Sequence, residues 1–226
     1  LVDLDGDGES ELVLKNNNLF AVLTPRWGGR LLFLFIVSGE HGQMVVGNPS
    51  DDWNFLQALN QFMQVPRNHP GALADVNFEN DRYIAQIRAA SGSRVAVHLV
   101  NVEPGSAAMG LTKEIRLESC DAESLVVAYA LPETLAGISV DCGLSPDYAS
   151  LLRTGKQSFV AFTRKNARGL RCGNVEVWIA PEARSALWSQ PAQSHFGHGQ
   201  CVQLSAAHRN FGIEIGATSQ AVVVPR

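Results

Sequence analysis

Short apolar or alternating segments, separated by Gly, Asn, Pro and Asp, follow one another along most of the chain. Alternation with period two is typical of strands that bury one face, and the residues between them favour turns. Because many strands follow one another without long helices between them, we predict a mainly β fold, a large antiparallel β-sandwich with one or two short helices. The predicted strands are LFAVLT (19–24), RLLFLFIV (30–37), YIAQIRA (83–89), RVAVHLV (94–100), LTKEIRLE (111–118), SLVVAYA (124–130), QSFVAFT (157–163), NVEVWIA (174–180), FGIEIG (211–216) and QAVVVP (220–225).

Two segments interrupt this pattern with helical spacing. In DDWNFLQALNQFMQ (51–64), apolar residues recur every three or four positions behind two aspartates, which is typical of an amphipathic helix packed on a sheet. SPDYASLLRTG (145–155) begins with Ser-Pro and ends at a glycine, which predicts a short helix or a pair of turns. No linker or repeat divides the sequence, so residues 1–226 are predicted to form a single domain, in which residues 1–12 are an acidic glycine-rich loop leading into the first strand.

Composition and charge narrow the classes of partner. The chain has 226 residues, of which 46% are hydrophobic and 18% charged, a balance typical of a globular domain with a sizeable core. The formal net charge is −4 and Lys and Arg are scattered singly, so no basic surface is expected to follow a phosphate backbone. The strongest apolar stretch, LLFLFIV at 31–37, is too short to span a membrane. Nucleic acid and membranes are therefore not expected as partners.

The cysteines and the first residues bear on redox state and compartment. Cys120, Cys142, Cys172 and Cys201 are widely spaced without a CxxC pair, which favours buried free thiols over a zinc knuckle or a redox pair. No basic segment followed by an apolar stretch precedes the first predicted strand. The compartment stays open, with a slight preference for the cytoplasm.

The acidic loop LVDLDGDGESEL has the composition of a calcium site. Asp3, Asp5 and Asp7 alternate around glycines, and Glu11 follows at the ninth position counted from Asp3. Calcium prefers six to eight oxygen ligands from a flexible loop. The twelfth position is Leu14, and LVLK continues as a strand, so an EF-hand is excluded. Two interpretations stand: a calcium loop with these four carboxylates as ligands, or an acidic turn ahead of a strand.

A second polar stretch, QVPRNHPGALADVNFE (64–79), combines a cation, an amide, an imidazole and two carboxylates. These are the groups that bind sugar hydroxyls or move protons among them. Two prolines bracket the Arg-Asn-His segment and restrict its backbone. The alternative is a structural loop whose side chains satisfy backbone groups. The candidate carbohydrate-binding residues are Arg67, Asn68, His69, Asp75 and Glu79.

Tryptophans and a late glutamate supply further candidates. In TPRWGGRL, Trp27 stands beside two glycines, so it either stacks on a pyranose or belongs to a turn between core strands. Trp53, Trp178 and Trp188 are expected in the core. Glu214, within FGIEIG, either projects into a concave sheet face or faces solvent.

In SHFGHGQ (194–200), His195 and His198 have a spacing that one metal ion accepts, but a polar loop is favoured because no carboxylate or Cys is adjacent. No serine-hydrolase elbow, phosphate-binding glycine loop or dinucleotide fingerprint occurs in the sequence.

Several of these stretches together resemble the β-rich C-terminal region of glycoside hydrolase family fifty-seven proteins. They are DLDGDGESELVLKNNNLFAVLTPRWGGRL, VVGNPSDDWNFL, PRNHPGALADVNFE and GLSPDYASLLRTG. The resemblance covers most of the chain and implies an association with α-glucans such as amylose and glycogen. It also implies that the catalytic carboxylates lie in a separate N-terminal (β/α) barrel, whose motifs nothing in this sequence resembles. By resemblance the chain is a C-terminal fragment or accessory domain, with an α-glucan and that barrel as its partners.

Such C-terminal regions are also similar to the galactose mutarotase-like supersandwich. Aldose epimerases of that fold use a His as general acid and a Glu as general base, and His69 and Glu214 are the counterparts here. Three hypotheses follow. The first is a non-catalytic module that binds substrate or packs on the barrel, the second is an epimerase-like enzyme with the His69 and Glu214 pair, and the third is a purely structural domain that forms a homodimer or a packing surface.

Overall fold

The computed structural model of this chain describes residues 1–4, 8–38, 41–47, 71–91, 94–146, 159–182, 187–188 and 200–219. Within these ranges it contains strands and no helix. In chain order the strands are β1 (Leu12–Lys15), β2 (Leu19–Thr24), β3 (Arg30–Ser38), β4 (His41–Val46), β5 (Ala72–Asp75), β6 (Tyr83–Ser91), β7 (Arg94–Asn101), β8 (Thr112–Leu117), β9 (Ser124–Ala130), β10 (Ile138–Leu144), β11 (Val160–Arg164), β12 (Ala167–Cys172), β13 (Val175–Pro181), β14 (Leu187–Trp188), β15 (Gln200–Ala206) and β16 (Asn210–Ser219).

The strands form two antiparallel sheets of eight strands each. The first sheet has the order β1-β2-β3-β5-β10-β15-β14, with β4 also paired to β3. The second has the order β11-β12-β13-β16-β9-β8-β7-β6. The predicted mainly β, antiparallel sandwich is therefore confirmed.

Alternation along the strands places the core between the two sheets. In β16, Phe211, Ile213 and Ile215 are buried in the core, whereas Glu214, which lies between the two isoleucines, is directed to the opposite face. The same period appears in β9, where Leu125 is fully buried and its neighbours are half-buried. Each fully buried Leu, Ile or Val side chain stabilises the fold by about 1.5–3 kcal/mol relative to exposure.

The predicted strands that lie within the described residues are confirmed, and β2 and β9 have the predicted bounds. QAVVVP and both predicted helices lie outside the described residues. Strands β4, β5, β10, β12, β14 and β15 were not predicted. The pattern of β10 is regular, with Ile138, Val140, Cys142 and Leu144 buried and the residues between them half-buried, so alternation was sufficient to predict this strand. β12 carries Gly169 in its middle and has no such period.

The cysteines differ in part from the expectation. Cys142 is a buried free thiol, as predicted, but Cys120 is exposed and Cys172 is half-buried. Buried free thiols were therefore the wrong expectation for Cys120, which lies at a turn next to Asp121. The side chain of Cys201 lies outside the described residues. None of the described residues forms a helix long and apolar enough to cross a membrane.

Candidate functional site

Of the four proposed calcium ligands, Asp3 and Glu11 are described, and both accept backbone hydrogen bonds from within the acidic loop. Gly8 N donates to Asp3 Oδ2 over 3.1 Å, and Leu4 N donates to Glu11 Oε2 over 2.9 Å. The Glu11 side chain is buried, so its carboxylate stabilises the turn ahead of β1. Asp5 and Asp7 lie outside the described residues. Within the described ranges no group of three His, Cys, Asp or Glu side chains is placed to hold a metal ion, and calcium binding at this loop stays a prediction.

The described members of the predicted sugar-binding set come together at one end of the sandwich. Asp75 ends β5, Glu79 follows it in a turn, and Trp27 lies in the turn between β2 and β3. Gly28, next to Trp27, approaches Glu79 so closely that a Cβ on it would lie 2.7 Å from the Glu79 carbonyl oxygen. Arg67, Asn68 and His69 lie outside the described residues.

The turn that carries Trp27 is fixed by backbone hydrogen bonds. Gly28 N donates to Asp81 O and Tyr83 N donates to Pro25 O, each over 2.8 Å. The Arg26 guanidinium lies over the Trp27 ring, 4.2 Å from its centroid. The half-buried indole therefore has a defined position beside Arg26, and Trp27 belongs to a turn between core strands without being part of the core.

Below this turn, Lys113 extends from β8 of the second sheet into the first sheet. Its Nζ lies 2.8 Å from Asp75 Oδ2, 2.8 Å from Gly28 O, 2.8 Å from Leu73 O and 3.2 Å from Gly29 O. Each of these three carbonyls belongs to a residue with positive φ, namely 73° for Gly28, 53° for Gly29 and 61° for Leu73. Such a backbone conformation is costly for leucine. The hydrogen bond from Lys113 Nζ to Leu73 O offsets part of this cost.

Two tyrosines complete the surroundings of this ion pair. Tyr83 Oη donates to Asp75 Oδ2 over 2.7 Å, and the Tyr83 and Tyr129 ring centroids lie 5.1 and 5.4 Å from Lys113 Nζ. The Tyr129 hydroxyl is buried as well and interacts with the Asp75 carboxylate.

Burial dominates the electrostatics of this buried cluster, which we define as Arg30, Asp75, Tyr83, Lys113 and Tyr129. It raises the pKa of Asp75 and lowers the pKa of Lys113, in both cases against the effect of the partner's charge. It also lowers the pKa of Arg30 to about 10, against the negative charges of Glu79 and Asp75. Since no part of Asp75 is exposed, its carboxylate bridges the two sheets and does not present a surface for a sugar.

The tyrosines of the buried cluster make the free energy of unfolding depend on pH. Burial, and then the Asp75 charge, raises the pKa of Tyr129 well above its ordinary value of 10.0. Above about pH 10 the unfolded chain therefore loses a proton that the folded chain keeps, and the free energy of unfolding falls by up to about 1.4 kcal/mol per pH unit for this group. We expect Tyr129→Phe to reduce the alkaline slope, measured by urea unfolding at pH 9, 10 and 11. An identical slope in the variant would contradict the assignment.

Sequence reasoning missed Lys113, although the sequence contains a signal for it. Lys113 is separated by even numbers of residues from Leu111, Ile115 and Leu117, all of which are buried, so alternation alone places the lysine on the core face of β8.

The same alternation places Trp178 in VEVWIA on the outer face. Trp178 shares that face with Glu176, while Val177 and Ile179 face the core. The expectation of a core position was thus wrong for Trp178, which is half-buried on the outer face of the second sheet.

Glu214 lies on the same outer face as Trp178. It is half-buried, and Ser124 Oγ donates to its Oε1 over 2.6 Å. The Glu214 side chain thus lies on the sheet face that points away from the core, and it is half-buried there. His69 lies outside the described residues, so the proposed acid and base pair stays a prediction. His195, His198, Trp53 and the side chain of Trp188 also lie outside the described residues.

Comparisons with known proteins bear on the fold. No protein-family model matches the chain, and no curated protein matches its sequence. A 4-alpha-glucanotransferase from Thermococcus litoralis aligns over 97% of this chain and 39% of its own, with 13% identity and a TM-score of 0.55. The heparan sulfate lyase HepC from Pedobacter heparinus aligns over 94% of this chain and 37% of its own, with 11% identity and a TM-score of 0.54.

A TPR-domain containing protein from Parabacteroides distasonis also matches, over 95% of this chain and 49% of its own, with 15% identity and a TM-score of 0.54. The likeness establishes the fold. The chain spans less than half the length of each of these proteins, two of which are named as carbohydrate-active enzymes.

Proposed function

We propose that this chain is a non-catalytic, carbohydrate-associated β-sandwich module of an α-glucan-active glycoside hydrolase or glucanotransferase. In this role it binds substrate or packs against the catalytic barrel of the parent protein. One observation carries the proposal: the Trp27 turn is held in place beside Glu79 at one end of the sandwich. The structural likeness to a glucanotransferase and a heparan sulfate lyase supports an association with carbohydrate at the level of the fold.

The chemistry of the turn suits a sugar. An indole ring stacks on the apolar face of a pyranose, and a guanidinium and a carboxylate supply donors and acceptors for its hydroxyls. Trp27, Arg26 and Glu79 are half-buried, so each combines a fixed position with exposed surface. Because the Lys113 ammonium binds Gly28 O and Gly29 O, the turn is attached to the core and loses little conformational entropy when a ligand binds.

Titration of the chain with maltoheptaose, followed through the tryptophan indole N–H signals in ¹⁵N NMR spectra, tests this proposal. We expect the Trp27 signal to shift, and we expect Trp27→Ala to weaken binding about tenfold, the loss typical of a central aromatic contact. Met109→Ala is the matched control, since Met109 is 56% exposed in a loop and is expected to leave binding unchanged.

A specific observation also favours the packing role. Leu1, Val2 and Leu4 are 66%, 50% and 47% exposed, although Val2 is held by backbone hydrogen bonds to Glu11. Exposed apolar side chains that are held in place in this way are typically covered by another domain or by a second copy of the chain. If maltoheptaose leaves all indole signals unchanged at millimolar concentration, the sugar-binding role is wrong and the packing role is retained.

A further inference from the structure

The outer face of the second sheet carries a row of aromatic side chains and glycines. Strand registers place Phe162 opposite Gly169, Gly169 opposite Trp178, and Trp178 opposite Gly216. In each aromatic pair the ring lies over a glycine: a Cβ on Gly216 would overlap the Trp178 indole, and a Cβ on Gly169 would lie 2.7 Å from Phe162 Cζ. The glycines therefore let both rings lie against the sheet, and the indole presents its other side away from it.

Polar groups lie at the far end of the Trp178 ring. Ser124 is opposite Gly216 on β9, so Gly216 lies between the tryptophan and the serine. Glu214, two residues before Gly216, is a diagonal neighbour of Trp178 on the sheet, at a Cα separation of about 7–8 Å. Its carboxylate is oriented by the Ser124 hydroxyl over 2.6 Å, which leaves its second oxygen to accept from a ligand hydroxyl. A flat ring beside an oriented carboxylate is suited to a pyranose.

The charges on this face identify which sugars it accepts. Arg164 and Arg171 both pair with Glu176, with Arg164 Nη2 3.3 Å and Arg171 Nε 2.7 Å from its carboxylate oxygens. Arg116, farther along the face, pairs with Glu114 at 3.2 Å and with Glu118 at 2.7 Å. Arg164 and Arg171 share one carboxylate and Arg116 lies beside two, so these three arginines and three glutamates carry equal and opposite charge over the face as a whole.

Next to the indole, the Glu214 carboxylate adds one negative charge to this balance, because its hydrogen-bond partner is the neutral Ser124 hydroxyl. A sulfated or uronic-acid glycan would bring like charges together here, which is unfavourable, whereas a neutral glycan meets only hydroxyl acceptors.

We propose that this outer face, built from Trp178, Gly216, Ser124 and Glu214, is a second carbohydrate site that stacks a pyranose ring of a neutral glycan. The inference rests on the proposed carbohydrate association of the chain, but it does not depend on the Trp27 turn. Of the two carbohydrate-active enzymes that share the fold, one is named for a glucan and the other for heparan sulfate. The inference favours a neutral glucan over a sulfated glycan as the ligand of this chain.

The same ¹⁵N indole titration tests this site, because it resolves each tryptophan. We expect maltoheptaose to shift the Trp178 signal, and a sulfated heparin hexasaccharide to leave it unchanged. Trp178→Ala is expected to weaken maltoheptaose binding at this site at least about tenfold. Gly216→Ala, which displaces the indole, is expected to have a similar effect while Trp178 is retained. Circular dichroism and thermal unfolding show whether each variant remains folded, and Glu214→Gln, which keeps the size of the side chain, serves if either variant does not.

The outcomes separate this inference from the proposed function. A maltoheptaose response confined to Trp27 and unchanged by Trp178→Ala overturns the second site and leaves the proposed function intact. A response confined to Trp178 supports the second site and moves sugar binding away from the turn. Binding of the heparin fragment at Trp178 in preference to maltoheptaose overturns the assignment to neutral glycans. No response of either tryptophan to either sugar overturns the second site and the sugar-binding role of the proposed function, and only the packing role is then retained.

Discussion

Lys113→Met is expected to destabilise the fold by about 3–5 kcal/mol, the usual cost of leaving one partner of a buried ion pair without the other. The Asp75 carboxylate and the carbonyls of Gly28, Gly29 and Leu73 would all lose the group to which they now bind. Methionine fills a similar volume, so the loss reports charge and hydrogen bonding more than packing. Guanidinium unfolding monitored by tryptophan fluorescence measures the change.

Two further variants make this result specific. Lys15→Met removes an exposed lysine from β1 and is expected to change the free energy of unfolding by no more than about 0.5 kcal/mol. In the double variant Lys113→Met with Asp75→Asn, the uncompensated carboxylate is gone, so part of the lost stability is expected to return. A double variant less stable than Lys113→Met alone would show that the carboxylate is not the group that Lys113 compensates. If Lys113→Met does not fold, comparison of Asp75→Asn with the wild type reports the same pair.

The second large effect is expected for Gly28→Ala, at about 2–4 kcal/mol of destabilisation. Two costs combine at this position. An alanine would have to adopt a φ of +73°, and its Cβ would lie 2.7 Å from the Glu79 carbonyl oxygen, a backbone atom that cannot rotate away. The turn would then move its carbonyls relative to Lys113, and thermal unfolding should show the loss directly.

Gly105 offers a matched control because it has the same backbone strain without the contact. Its φ is +81°, and nothing lies within 4 Å of a Cβ placed on it. Gly105→Ala is therefore expected to cost only the strain, about 1–2 kcal/mol. Equal losses in the two alanine variants would mean that the approach of the Trp27 turn to Glu79 contributes nothing to stability. A larger loss for Gly28→Ala would show that this approach is fixed in the native state, as sugar binding at the turn requires.

Local pattern was enough for most of the sheet architecture. Alternation in SLVVAYA and LFAVLT places every second side chain in the core, because a pleated strand has a period of two whatever it pairs with. It failed for β5, because four residues, Ala72–Asp75, are too few to show a period. The same rule, applied strictly, would have placed Lys113 inside and Trp178 outside. The general burial preferences of lysine and tryptophan indicate the opposite, and they did not hold at these two positions.

What the sequence determined by itself was therefore the class of the fold, together with the selection of the Asp75 and Trp27 stretches as candidates. Tertiary structure alone decided what those stretches do. Lys113 lies 38 residues after Asp75 in the chain, yet its ammonium is 2.8 Å from the carboxylate because β5 and β8 face each other across the core. Trp178 and Glu214 likewise become neighbours only through the register of β13 with β16. Such contacts depend on which strands pair and in what register, and burial over the whole domain sets both.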